Sequence, residues 1–250
     1  MKRNPVALLV LLASIGLSAC GRAVPSTLTP VTLMLDWVPN TNHTGIFVAQ
    51  SRGYFAEAGL QVNIIQPGEV YAEQAVAAGA ADFGVSFQEQ ITLARADAIP
   101  LVSIAAILQH NTSGFASRAE LAAQSPADWA GLRYGSFGSP FEEPTLRVLM
   151  TCDGGDFSRL EIVETGFADP LSLLAEDQTD LAWIFFGWQG LQAEQLGIDL
   201  NIVMMQDWLD CIPDYYTPVL IASEATIAER PQIVRAFLQA VSRGYQEAIR

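Results

Sequence analysis

Lysine is almost missing from this chain: Lys2 is the only one in 250 residues, so 12 of its 13 basic residues are arginine. No Schiff base to a carbonyl substrate or cofactor can form on any residue after Lys2. Histidine and cysteine are nearly as scarce, with only His43, His110, Cys20, Cys152 and Cys211 present. None of them falls at a spacing suited to a metal ion, so neither a metal centre nor a resident cofactor is expected. Basic charge is in deficit as a whole, 27 acids against 13 bases for a net charge of -14. That balance excludes a nucleic-acid partner and disfavours capture of nitrate, sulfate or a bare phosphate ester. A neutral or weakly cationic small molecule fits it better. Long apolar runs are also lacking, because Val6 to Leu17 falls short of the about 20 residues that a comfortable membrane span requires.

That short run instead reads as part of an export signal. Met1-Lys2-Arg3-Asn4-Pro5 supplies a basic start, and the apolar stretch ends in Leu17-Ser18-Ala19-Cys20-Gly21. Leu-Ser-Ala-Cys resembles the bacterial lipobox, which implies a signal peptide over residues 1–19, lipidation of Cys20 and a polar tether over 20–30. The expected location is the extracytoplasmic face of a membrane, held by lipid. Removal of residues 1–19 takes away Lys2 and Arg3 and no acid, leaving 11 arginines against 27 acids, or -16. The remaining pair, Cys152 and Cys211, can form one disulfide in an exported protein or stay as two thiols, since sequence alone sets no distance between them.

Strand-like and helix-like stretches then alternate, the pattern of an α/β fold with largely parallel strands. Strands are predicted at Val31–Leu35, Gln61–Ile65, Ala81–Val85 and Leu101–Ala105, with helices starting near His43, Val70 and Gln88. Gly59 and Gly79 sit where those helices must stop. A second set comprises Gly131–Tyr134, a helix over Glu142–Met150, Leu160–Val163, a helix over Pro170–Ala175, Asp180–Phe186 and Asn201–Met205. The chain returns through Tyr216–Ala222 to helices over Glu224–Arg230 and Pro231–Arg250. Two lobes, 31–115 with 218–250 and 116–217, joined by crossings near Thr112–Ser117 and Tyr216–Leu220, make a hinged cleft. The last helical pattern runs to Arg250 without a cap, so a continuation that completes the first lobe is expected.

The densest chemistry lies in Leu35-Asp36-Trp37-Val38-Pro39-Asn40-Thr41-Asn42-His43-Thr44-Gly45, a strand-to-helix turn at the carboxyl end of a strand. Ligands of open α/β sheets bind at that edge. Trp37 offers a plate for a flat ring, while Asn40, Asn42 and His43 offer neutral hydrogen-bonding groups. Four further segments are candidate walls of the same cleft: Gln88 in Ser86–Gln90, Ser136, Phe137 and Glu142 in Gly135–Glu143, Trp188 and Gln189 in Trp183–Gln189, and Tyr215 and Tyr216 in Pro213–Thr217. Together they point to a flat, uncharged or weakly basic ring held between aromatic plates and read at its edges by amides and one carboxylate.

These runs resemble the substrate-binding lipoproteins of bacterial ABC importers that capture pyrimidine precursors of thiamine, and the fungal relatives that synthesise that pyrimidine. The resemblance extends from about Leu33 to Arg250. It rests on Leu-Asp-Trp-Val-Pro-Asn-Thr-Asn-His-Thr-Gly, Arg52-Gly53-Tyr54-Phe55 with Gly59-Leu60, Gly-Ser-Phe-Gly-Ser-Pro-Phe-Glu-Glu, Trp-Ile-Phe-Phe-Gly-Trp-Gln-Gly and Asp-Tyr-Tyr-Thr-Pro. It implies a two-lobe periplasmic-binding-protein fold of the second type that closes over its ligand and docks onto permease subunits; a monomer without catalysis is expected. It also implies ligand contacts from Trp37, Asn40, Asn42, Trp188, Gln189 and Tyr215. Where the pyrimidine binders commonly carry an acid after the second Trp of the fourth run, this chain has Gln189, which keeps riboflavin or another heterocycle open beside hydroxymethylpyrimidine and formylaminopyrimidine. A synthase is the third alternative. His43 occupies the position of the synthases' sacrificial histidine, but Ala80 stands where they need a lysine, and Cys211-Ile212-Pro213-Asp214 lacks their cysteine cluster.

Overall fold

The computed structural model describes residues 27–68 and 70–250. Residues 1–19, Cys20 and the start of the tether lie outside the described residues. Two five-stranded sheets organise the rest. The first half of the chain contributes β1 (Thr29–Met34), α1 (Thr44–Ser51), α2 (Tyr54–Glu57), β2 (Leu60–Ile65), α3 (Ala72–Ala77), β3 (Phe83–Ser86), α4 (Gln88–Ala96) and β4 (Leu101–Ala106). Next come β5 (Ser113–Arg118), β6 (Arg133–Ser136), α5 (Glu142–Cys152), β7 (Glu161–Glu164), α6 (Pro170–Ala175), β8 (Leu181–Phe185), α7 (Leu191–Leu196) and β9 (Leu200–Met204). The chain ends in β10 (Val219–Ser223), α8 (Glu224–Glu229) and α9 (Pro231–Ala248).

Strand order is β2-β1-β3-β10-β4 in one sheet and β7-β6-β8-β5-β9 in the other. Each sheet has a parallel part, β1 with β2 and β3, or β6 with β7 and β8. Each also takes in one strand that arrives from the opposite half: β5 runs antiparallel to β8 and β9, and β10 antiparallel to β3 and β4. The expected crossing at Thr112–Ser117 is corrected by this arrangement. Ser113–Arg118 is buried apart from its last residue and forms a ladder on both edges, so it is an interior strand of the second sheet. Likewise Val219 and Leu220 already belong to β10. The crossings are the stretches before these strands, and they are laced together. Asp214 accepts from the Asn111 amide at 2.9 Å and meets His110 Nδ1 at 2.6 Å, and the Ile107 amide donates to the Pro218 carbonyl at 3.0 Å.

The helix stops expected at Gly59 and Gly79 are present, at φ 79° and 73°, the left-handed region that closes a helix at little cost only for glycine. The first sheet is covered by α9, whose Phe237 stacks on Phe83 with ring centroids 3.9 Å apart. On its way α9 meets α1 at two glycines. A Cβ on Gly244 would stand 1.9 Å from the Gly45 carbonyl oxygen, and one on Gly45 would fall inside the Tyr245 ring. Gly45 thus ends its motif as a helix-contact residue. The second core gathers Phe115, Trp129, Tyr134 and Leu149, all nearly inaccessible. Cys152 and Cys211 form a disulfide across 59 residues of chain, resolving the alternative that the sequence left open. In the chain-entropy account a loop of that length contributes about 4 kcal/mol by restricting the unfolded ensemble.

Candidate functional site

The carboxyl ends of β1, β3, β6 and β8 face a cleft of about 820 Å³, counted to its open mouth, between the two halves. Its wall is mainly apolar and aromatic. Trp37, Tyr71 and Phe87 come from the first half, and Phe137, Phe141, Trp183, Phe185 and Trp188 from the second. The halves meet ring to ring at the rim. Trp37 lies 4.5 Å from Phe167 and 6.3 Å, edge on, from Phe137, while Tyr71 lies 5.0 Å from Phe167. Three side-chain hydrogen bonds span the same seam: Tyr71 hydroxyl to the Phe137 carbonyl at 2.6 Å, Thr41 hydroxyl to the Gly187 carbonyl at 2.7 Å, and Ser139 hydroxyl to Gln90 Oε1 at 3.1 Å.

Of the residues singled out in the sequence, Trp37, Asn40, Phe137, Trp188 and Gln189 line this cleft. The turn that carries Trp37 is built by its own amides. Asn40 caps the short 3-10 turn Thr41–His43, its Oδ1 accepting from the Asn42 amide at 2.9 Å and its Nδ2 donating to the Val38 carbonyl at 3.0 Å. Both polar atoms of Asn40 are therefore engaged in the turn. Gln189 is 3 % exposed, and its Oε1 accepts the Phe185 amide at 2.9 Å. An N–H donor fixes which end of the amide is oxygen. The residue sits in a π-helical turn over Phe186–Gly190, a local widening that carries Trp188 and Gln189 off the end of β8.

The other expected contacts stand behind the wall. His43 is fully buried, with Nδ1 accepting from the Asn40 amide at 3.2 Å and Nε2 2.7 Å from Asp36 Oδ1. Because an amide occupies Nδ1, the ring proton sits on Nε2 and points to Asp36, which does line the cleft. His43 is a positioning residue for Asp36. The Asn42 carbonyl accepts from the Tyr245 hydroxyl at 2.6 Å, fastening the turn to α9. Glu142 is 1 % exposed and gathers Tyr134 hydroxyl, the Ser139 and Phe137 amides, and Ser136 hydroxyl at 2.6 to 3.3 Å. Burial holds its pKa above the ordinary carboxylate value against those four hydrogen bonds. Glu142 and Ser136 thus knot the loop that presents Phe137. Gln88 spends its Oε1 on the Tyr216 amide at 2.8 Å, while the Tyr216 ring is half exposed. Tyr215 packs beside the second core, close to Glu89, and not on the cleft wall.

Asp36, Tyr71, Glu89, Phe141, Phe167 and Thr217 complete the cleft or its rim and were missed as contacts. Asp36 and Phe141 lie inside runs already quoted, so neighbourhood pointed at them. Tyr71 and Phe167 lie in short loops with no motif around them. The model of the family described as NMT1/THI5 like matches residues 40–250. A formylaminopyrimidine-binding protein of Halalkalibacterium halodurans is 32% identical over 95% of this chain and 72% of its own length. A 4-amino-5-hydroxymethyl-2-methylpyrimidine phosphate synthase of Legionella pneumophila is 27% identical over 89% of this chain and 70% of its own. Among solved structures, the alkanesulfonate-binding protein of Xanthomonas axonopodis pv. citri superposes with a TM-score of 0.66 at 13% identity, over 88% of this chain and 74% of that one. A Candida albicans protein described as having the generic periplasmic binding protein fold gives 0.62 at 14% identity, over 88% and 72%. At those identities the structures speak for the fold alone. With two mixed α/β sheets around one cleft and a family match over most of its length, the chain is a member of the NMT1/THI5-like family with the periplasmic-binding-protein fold.

Proposed function

We propose that this chain is the solute-binding protein of an ABC importer, anchored by lipid at Cys20 outside the cytoplasmic membrane, and that it captures a thiamine-related pyrimidine between aromatic plates for delivery to permease subunits. The observation that carries the reading is the pairing of Trp37 from one half with Phe137 and Trp188 from the other around a single apolar cleft. A flat heterocycle gains dispersion and desolvation from such plates and needs few polar partners to set its orientation. The H. halodurans relative, whose name describes formylaminopyrimidine binding, supports that ligand class. The acidic composition fits a neutral or weakly basic solute. The lobes carry no catalytic set in this reading; the synthase alternative lacks its lysine at Ala80.

A second reading, riboflavin or another oxo-substituted heterocycle, is favoured by one observation. The oxygen of Gln189 already accepts from the Phe185 amide, so its NH₂ is the freer group, and a donor there suits a ring edge rich in acceptors better than an exocyclic amine. Isothermal titration with formylaminopyrimidine, hydroxymethylpyrimidine, thiamine and riboflavin separates the readings. Saturable one-to-one binding of either pyrimidine, with riboflavin weaker, is the expected result. Binding of riboflavin alone selects the second reading, and no binding of any of the four overturns both.

A further inference from the structure

The first turn of α4 sends its polar side chains in three directions. Gln88 holds the crossing segment, its Oε1 accepting the Tyr216 amide at 2.8 Å and its own amide donating to the Tyr216 carbonyl at 3.3 Å. Gln90 accepts from Ser139 of the opposite half at 3.1 Å. Glu89, between them, lines the cleft; its carboxyl takes a hydrogen bond from the Tyr215 hydroxyl, while its Oε2 is sealed from solvent and has no hydrogen-bond partner. The Thr217 hydroxyl, on the crossing segment that Gln88 fastens, lines the same cleft and is also buried without a partner. Two unpartnered polar atoms in one cavity wall are costly unless something polar completes them.

We propose that Glu89 reads the edge of the bound ring as a neutral carboxylic acid, its O–H and C=O presented side by side, with the Thr217 hydroxyl as a further contact. This rests on the reading of the cleft as a heterocycle site. The matching ligand edge carries an acceptor next to a donor, as in the ring nitrogen and amino group of an aminopyrimidine or the C=O and N–H of a lactam. An ionised carboxylate would offer acceptors only.

The environment supports the neutral form. An acid in the first turn of a helix ordinarily stays ionised, because the helix dipole and free amides favour the anion. Here burial outweighs that effect and pushes the Glu89 pKa up to about 8. The Tyr215 hydroxyl from the crossing segment donates to it and pulls the other way without prevailing, while the Glu73 carboxyl from α3, itself held above its ordinary pKa by burial, adds to the upward push. Asp36 stands on the same wall, and beyond Tyr215 lies the Asp214–His110 pair. No arginine is among these neighbours within the described residues.

The test is calorimetric titration of formylaminopyrimidine and riboflavin at pH 7 and pH 9 into the wild-type protein, Glu89→Gln and Glu89→Ala. The scarcity of lysine and the bridging of Cys152 to Cys211 leave few other groups that change charge in that window. If only the neutral acid binds, a pKa near 8 weakens the wild type about tenfold from pH 7 to pH 9. Glu89→Gln, which keeps a donor and an acceptor and cannot ionise, is expected to bind within about threefold of the wild type at pH 7 and to lose the pH dependence. Glu89→Ala is expected to bind at least about tenfold more weakly than the wild type at pH 7 and to show no pH dependence. The inference is overturned if Glu89→Ala binds like the wild type, or if Glu89→Gln binds as poorly as Glu89→Ala while the wild type is indifferent to pH. A wild type that takes up neither probe overturns the heterocycle reading itself and this inference with it.

Discussion

The Tyr71 hydroxyl donates to the Phe137 carbonyl at 2.6 Å, joining the loop before α3 to the loop after β6 across the mouth of the cleft. The same loop of the second half is stiffened from behind, where Glu142 collects the Phe137 and Ser139 amides. A bond that closes the mouth acts on ligand escape more than on ligand contact. Tyr71→Phe keeps the ring and its packing on Phe167 but removes the donor. It is expected to raise the ligand dissociation rate about two- to tenfold, the equivalent of one hydrogen bond of about 0.5 to 1.5 kcal/mol. The association rate should change little. Stopped-flow tryptophan fluorescence measures both, and an unchanged dissociation rate contradicts the latch.

The turn that bears Trp37 depends on the contact between α1 and α9. Gly244→Ala places a methyl group 1.9 Å from the Gly45 carbonyl and 2.9 Å from Ala49, backbone and β-carbon that cannot simply swing aside. A loss of about 1 to 3 kcal/mol of stability is expected, as for other overpacked contacts. Gly68→Ala, where an added Cβ meets nothing within 4 Å, is the control. Urea denaturation of the two variants should differ by that amount. Equal midpoints would show that α9 slides freely on α1.

Acid should weaken the second half through Asp180. Its carboxylate receives the Arg133 guanidinium at 2.8 Å on each oxygen and the Arg133 amide at 2.9 Å, with Arg118 at 3.2 Å. Arg133, in first place, holds its pKa down to about 2. A folded-state pKa below the unfolded value means the group stabilises the fold once ionised. That contribution is complete above the unfolded value of about 3.9 and is lost as pH falls through about 2. Asp180→Asn should therefore be less stable than the wild type at pH 7 and at pH 5, with the gap narrowing from pH 4 to pH 2. Urea midpoints across that range check it, and a gap independent of pH contradicts the assignment.

Much of this fold was legible because its cues are local. The Pro170–Ala175 helix begins at a proline after Asp169, whose side chain caps it, and its ends match expectation residue for residue. Gly59 and Gly79 marked stops for the same reason. The position of β5 was not legible. Ser113-Gly114-Phe115-Ala116-Ser117 is too small and polar to announce a central strand, and only its neighbours on both sides make it one. At the candidate site, Trp37 stands out by its Pro- and Asn-rich turn at a strand end, and Phe137 and Trp188 by flanking glycines; all three line the cleft. Polar residues misled. Asn, His and Glu in a turn satisfy backbone amides as readily as a ligand, and Asn40, His43 and Glu142 do so here. Glu89 lies inside the quoted run Ser86–Gln90 but is not singled out by it, because its proposed role depends on burial and on Thr217, more than a hundred residues away in sequence.

The proposed function rests on indole rings from opposite halves gripping one flat ligand. Trp37→Ala and Trp188→Ala, titrated with formylaminopyrimidine beside the wild type, test this most directly. Each variant is expected to stay folded and to lose about 1 to 3 kcal/mol of binding, roughly five- to 150-fold in affinity. Wild-type affinity in both variants would contradict that grip, placing the ligand elsewhere and leaving these rings as packing between the halves.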